Sequence, residues 1–241
     1  MTNLSINLNK IALLRNSRGR DYPNILDFAQ KFISLGVKGI TIHPRQDERH
    51  ITMQDAIDLG NFLKSNNGVE LNIEGYPSEE FLRLVESIKP DQCTLVPDSP
   101  DQLTSDHGWD LNSDLEFVTA SISRLKKLEI RTAIFMDPDS EQIKRVPLTK
   151  ADRIELYTES YAANFQNAKN ESTLNKFKDC ALLAQQLGVE VNAGHDLDLT
   201  NLPQFLEIQG ILEVSIGHAL VIECIELGMT KVIAEYLKVC S

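Results

Sequence analysis

The chain lacks any apolar run near the roughly 18 residues that a membrane span needs, so no transmembrane segment is expected. Its first residues, MTNLSINLNK, carry no basic stretch followed by an apolar one, and no secretion signal is expected. Cysteine is scarce and dispersed. Cys93, Cys180, Cys224 and Cys240 form no Cys-x-x-Cys pair, which argues against a disulfide frame or zinc site and for reduced thiols in the cytoplasm. Basic residues are outnumbered, 24 Lys and Arg against 35 Asp and Glu, for a net charge of -11. Such a chain repels polyanions, which speaks against nucleic acid and membrane surfaces as partners. Also missing are a G-x-G-x-x-G after the first strand, a G-x-x-x-x-G-K-[ST] loop, and any His-x-His or H-E-x-x-H pairing.

What is present is alternation. Short apolar runs occur at Ser5–Leu8, Val37–Ile42, Val69–Ile73, Gln92–Val96, Ile130–Met136, Arg153–Leu156, Val189–Asn192 and Leu212–Ile216. Most are rich in Val, Ile, Leu and Thr with little charge, as strands buried on both faces are. The segments between them carry helix signals. Ser113 with Glu116, and Asp139 with Gln142, fit capping boxes. Leu174, Phe177, Ala181, Ala184 and Leu187 recur at helical spacing, and Ile222, Ile225, Met229, Val232 and Tyr236 predict one last amphipathic helix. Leu35-Gly36-Val37, Asn67-Gly68-Val69 and Leu187-Gly188-Val189 repeat the pattern of helix end, glycine cap and strand start. Repeated βα units require parallel strands with helical crossovers. About eight of them in 241 residues predict a single (β/α)₈ barrel over residues 1–241, with an open doubly wound sheet as the alternative.

Barrel active sites sit at the C-terminal ends of the strands. Those ends carry Asn7, Asn9 and Lys10, then His43 and Arg45, Glu74, Glu155, Asn192 with Gly194 and His195, and Gly217 with His218. Histidines and glutamates converging on one mouth can relay protons near neutral pH. They are metal-ligand types as well, but each comes from a different strand, so no metal is expected. Gly217 before a helix start offers free N–H groups to a phosphate. In an acidic chain such a site must be locally basic, and Arg15, Arg18, Arg20, Arg45 and Arg49 are the candidate patch or else a solvated face. The polar loops from His43 to His50 and from Pro97 to Asn112 read as a lid or as plain surface.

At these residues the sequence resembles the pyridoxine 5′-phosphate synthase family. The matching pieces are NLNKIALLRNSRG (7–19), GITIHPRQDERHIT (39–52), LNIEG (71–75), LVPDSPDQLT (95–104), IELYTESYA (154–162), VNAGHDL (191–197) and VSIGHAL (214–220), in order over nearly the whole chain. The resemblance implies a barrel enzyme assembled as an octamer, with no metal or organic cofactor. It implies condensation of 1-deoxy-D-xylulose 5-phosphate with 3-amino-2-oxopropyl phosphate to pyridoxine 5′-phosphate, with release of phosphate and water. Carried over by position, His43, Glu74 and His195 transfer protons and Glu155 stabilises the transition state. Asn7, Arg18, Arg45, His50 and Thr104 contact the amino-ketone phosphate, with Gly217 and His218 on its phosphate side. Asn9 and Lys10 stand where the family usually has Asp-His against the deoxyxylulose phosphate, and Asp196 stands where it has glycine beside the phosphate. A related enzyme using another ketose phosphate, or a phosphate-binding relative without turnover, remains open from the residues.

Overall fold

A computed structural model describes residues 1–65, 68–98, 102 and 104–241. Its strands are β1 (Asn3–Asn7), β2 (Gly39–Ile42), β3 (Glu70–Gly75), β4 (Gln92–Leu95), β5 (Arg131–Met136), β6 (Arg153–Tyr157), β7 (Glu190–Gly194) and β8 (Ile211–Ile216). They pair in chain order, all parallel, and β8 closes on β1, giving an eight-stranded barrel ringed by helices. Among the described residues no helix is long and apolar enough to cross a membrane.

The expected strands fall within two residues of the observed ones, because each apolar run supplies the strand face that packs on the helices. Leu4, Ile6, Ile40, Ile42, Leu71, Ile73, Ile154, Leu156, Val191 and Val214 are all buried in that layer. The opposite face is buried as well, as expected, but mostly by polar side chains. Ser5 Oγ and Thr41 Oγ1 lie 2.7 Å apart, and Thr94 Oγ1 donates to Asn72 Oδ1 at 3.0 Å. Gln92 Nε2 donates to Glu213 Oε1 at 3.1 Å. β4 and β8 are not neighbours, so this last bond crosses the barrel axis. Asn192 joins it from β7, which sets Asn192 inside the barrel rather than at the mouth.

Helix termini differ from the expected ones in instructive ways. Helix Leu115–Lys126 has Asp114 at its N-cap with no side-chain cap, so Ser113 and Glu116 form no box. Asp139 does cap Ser140–Ile143, but through Glu141 N; Gln142 instead accepts from Leu111 N at 2.8 Å. Thr52 with Asp55 does form a complete capping box, opening helix Met53–Lys64. The single last helix is two, His218–Leu227 and Met229–Val239, broken at Gly228 (φ +87°). Ile222 and Ile225 are consequently exposed, and Leu187 is exposed at the end of helix Asn170–Gln186. Gly36, Gly68 and Gly188 all take positive φ at the expected helix-to-strand turns; Asn67 lies outside the described residues.

Candidate active site

The strand ends surround one cavity of about 550 Å³, a size that suits small ligands. Its wall includes Asn7, Asn9, Lys10, His43, Arg45, His50, Glu74, Thr104, Glu155, His195, Asp196, Gly217 and His218. Arg18 is exposed and outside that wall. Of the other arginines, Arg15 is turned onto Asp55 at 2.5 and 2.7 Å, whereas Arg45 and Arg49 line the cavity.

The floor is acidic. Glu155 projects inward beside Gly194, where a Cβ would stand 2.3 Å from Glu155 Oε1, so any side chain there would push the carboxylate from its place. Burial drives the Glu155 carboxyl well above its ordinary value, and Glu213 below it adds to the rise. Glu74 is raised by burial and by Glu155, Asp98 and Glu213, with Arg45 opposing. Asn7 Nδ2 reaches Glu74 Oε2 at 3.5 Å.

The rim is basic. Burial, then Arg45, Arg49 and Lys10, lower His50 to about 4. His50 Nδ1 accepts from Ile51 N at 2.9 Å, so the ring of this neutral imidazole carries its proton on Nε2. His43 is likewise held neutral by burial and by Arg45, His50 and Arg49. Its backbone N–H donates to Asn9 Oδ1 at 2.9 Å, a bond in which an asparagine serves as well as an aspartate. The buried Arg45 guanidinium pairs with Asp98 and donates to Gln102 O at 3.1 Å. Asp98 also accepts from Ser105 Oγ at 2.8 Å.

Beyond strand β7 the backbone is strained: His195 (φ +90°) and Asp196 (φ +58°) both take left-handed conformations. The buried Thr158 hydroxyl donates to Gly194 O at 2.8 Å and to His195 O, and Asn201 Nδ2 donates to Asp196 O at 3.0 Å. His195 Nε2 lies 3.3 Å from Thr104 Oγ1, and its ring meets Tyr157 edge-on at 4.9 Å. On the far side, Gly217 is the N-cap of helix His218–Leu227, and Gly217, His218 and Ala219 line the cavity.

The similarity to known proteins covers the same residues. The family described as "Pyridoxal phosphate biosynthesis protein PdxJ" matches residues 4–241. The chain belongs to the PdxJ family. It is 47% identical over 239 residues to "Pyridoxine 5'-phosphate synthase" of Christiangramia forsetii, covering 99% of both chains. To the protein of the same name from Bacteroides thetaiotaomicron it is 47% identical over 238 residues, 98% of each. The backbone also resembles the tryptophan synthase α-subunit of Pyrococcus furiosus (TM-score 0.65, 14% identity, 98% of this chain and 97% of that one), which speaks for the fold alone.

Sequence reasoning passed over two residues in this PdxJ chain. Asp98 lies inside the matched LVPDSPDQLT piece, and Thr158 directly follows β6, a position class that was itself the signal. Of the loop from Pro97 to Asn112, residues 99–101 and 103 lie outside the described ones. Its return is anchored by Trp109 Nε1, which donates to Leu95 O at 2.8 Å.

The titrating groups predict a pH dependence of stability. Glu74, Glu155 and Glu213 are raised, so their stabilisation is full below the ordinary carboxylate value and is lost as pH rises through the raised values. His43 and His50 are lowered, so theirs is full above 6.5 and is lost as pH falls toward the lowered values. The melting temperature is expected to fall as pH climbs above neutrality, and Glu213→Gln to flatten that fall. A scan by differential fluorimetry checks this; an unchanged or rising alkaline limb contradicts it.

Proposed function

We propose that the chain joins 1-deoxy-D-xylulose 5-phosphate to 3-amino-2-oxopropyl phosphate, forming pyridoxine 5′-phosphate with loss of inorganic phosphate and water. Membership of the PdxJ family and near-full-length identity to synthases of that name support it. The observation that carries it into this chain is the polarised cavity, with a basic rim above buried, proton-holding carboxylates.

The rim suits phosphates. Arg45, the Nε2–H of neutral His50, and Asn7 and Thr104 hold the amino-ketone phosphate, with Gly217, His218 and the helix N-terminus on its phosphate side. Lys10 holds the ketose phosphate as a fixed charge, and Asn9 positions His43. Arg18, away from the wall, has no part in this assignment.

The floor suits the chemistry. Imine formation, loss of water and phosphate, and aldol-type ring closure each move a proton on or off carbon, nitrogen or oxygen. Glu74, kept protonated by burial and by its neighbours, gives a proton and takes it back; neutral His43 and the imidazole of His195 accept and return others. Glu155, also proton-bearing, donates a hydrogen bond to charge that develops over the barrel axis. Fixing both phosphates sets the amine and carbonyl within reach.

The protein is also proposed to act in the cytoplasm as an octamer. Its four cysteines are free thiols, as in a reducing compartment. Leu13, Leu14, Ile222, Ile225 and Leu227 stand exposed on two helices that touch, Asn9–Asn16 and His218–Leu227. Light scattering is expected to give eight chain masses; one chain mass contradicts the assembly. The reaction is tested by mixing purified protein with both substrates and detecting pyridoxine 5′-phosphate by mass spectrometry. Absence of that product with both substrates intact rejects the proposal.

A further inference from the structure

We propose that Asp196 is a positioning residue for His195: its carboxylate accepts a hydrogen bond from Nδ1–H of the imidazole, holding the proton there and leaving Nε2 as the atom that exchanges protons with substrate. This rests on the function proposed above, and it gives a purpose to the strained turn after β7.

In a strand, adjacent side chains point to opposite faces. Two successive left-handed residues bring these two round to one face, with His195 Nδ1 and Asp196 Oδ2 3.2 Å apart. The turn is held from outside by the Thr158 hydroxyl on two carbonyls and by Asn201 on a third. Aspartate tolerates the left-handed region better than most residues, being short and polar.

The two nitrogens of His195 have different surroundings. Nε2 faces Thr104 and the cavity. Nδ1 is buried and has no aligned hydrogen bond among the described residues, although Asp196 Oδ2 is within hydrogen-bond distance of it. A small rotation of either side chain closes that bond. A buried ring nitrogen with a carboxylate beside it is the arrangement that sets an imidazole tautomer.

The charges agree. The His195 imidazole, then His218 and Lys10, hold the Asp196 carboxyl below its ordinary value, so it is ionised at neutral pH. The phenol of Tyr157, packed on the other side of the ring, is pushed up by burial and stays neutral. Asp196 is therefore the anion beside His195 and can stabilise the imidazolium that forms when Nε2 takes a proton. A carboxylate so placed would repel a substrate phosphate, which favours action through His195 over direct contact.

Asparagine and glycine both accept φ near +58°, so Asp196→Asn and Asp196→Gly are expected to fold. In ¹⁵N-histidine-labelled, ligand-free protein, with the His195 signals assigned by their loss in His195→Gln, the wild type is expected to show the Nδ1–H tautomer. Asp196→Gly is expected to mix the tautomers and to lower kcat about tenfold with little change in KM. Asp196→Asn keeps an acceptor and loses the charge, so the acidic limb of kcat/KM against pH is expected to move down by about one pH unit. Unchanged tautomer and unchanged pH limb in both variants overturn the proposal. A wild type that shows the tautomer and makes no pyridoxine 5′-phosphate upholds the His–Asp pair and rejects the functional reading. A wild type that turns over without the tautomer does the reverse.

Discussion

Glu74→Gln is expected to reduce turnover by about 10²- to 10⁴-fold, the range that a lost acid–base group costs, with KM nearly unchanged. Glutamine has the shape of the protonated carboxyl that burial and the surrounding carboxylates impose at this position. Its amide oxygen can still accept from Asn7 Nδ2, so the cavity keeps its form. What is lost is the ability to give up a proton and recover it. A neutral amide in place of a carboxyl that is already protonated adds no charge to this buried site. The variant is therefore expected to melt no lower than the wild type, which separates a chemical defect from a folding one. Steady-state kinetics with a thermal melt checks both; near-wild-type turnover would remove Glu74 from the proton-transfer assignment.

Arg45→Met is expected to damage both stability and binding. The guanidinium and Asp98 form a buried pair, with side chains 8% and 3% exposed. Breaking such a pair leaves one charge buried without its partner, at a cost of about 3–5 kcal/mol. Asp98 has little to fall back on, since its Oδ1 has no hydrogen bond among the described residues. Arg45 also lines the cavity, and losing a charge-assisted grip on phosphate is expected to raise the KM for the amino-ketone phosphate about tenfold or more. Adding Asp98→Asn to Arg45→Met removes the orphaned charge, so the double variant is expected to regain most of the stability and none of the affinity. Urea titrations and KM values for the set measure the two effects separately. A single variant with wild-type stability and KM would reduce Arg45 to a bystander.

The barrel was legible because β-branched apolar runs mark the strand faces that pack on helices, and those faces were found within two residues. The polar inner face was not, because Gln92, Asn192 and Glu213 become partners only once the barrel closes and sets β4, β7 and β8 around one axis. The last helix was misjudged because the three-and-four spacing runs on across Gly228, where the backbone breaks. At the cavity, the strand-end rule named His43, Glu74, Glu155, His195 and His218 from position alone, and all five line it. Resemblance added His50 and Thr104, which reach the cavity from loops, and gave a substrate contact to Arg18 of the basic patch, which lies outside the cavity wall. Asp98 and Thr158 act by holding another residue, a role that depends on distances no linear pattern carries.

The most direct test follows both phosphorus signals by ³¹P NMR while the protein converts equal amounts of the two substrates, with Glu74→Gln as control. The expected result is one pyridoxine 5′-phosphate for each inorganic phosphate, formed together and absent in the control. Phosphate released without the ring product, or product formed equally by the control, would contradict the assignment of this cavity to ring closure.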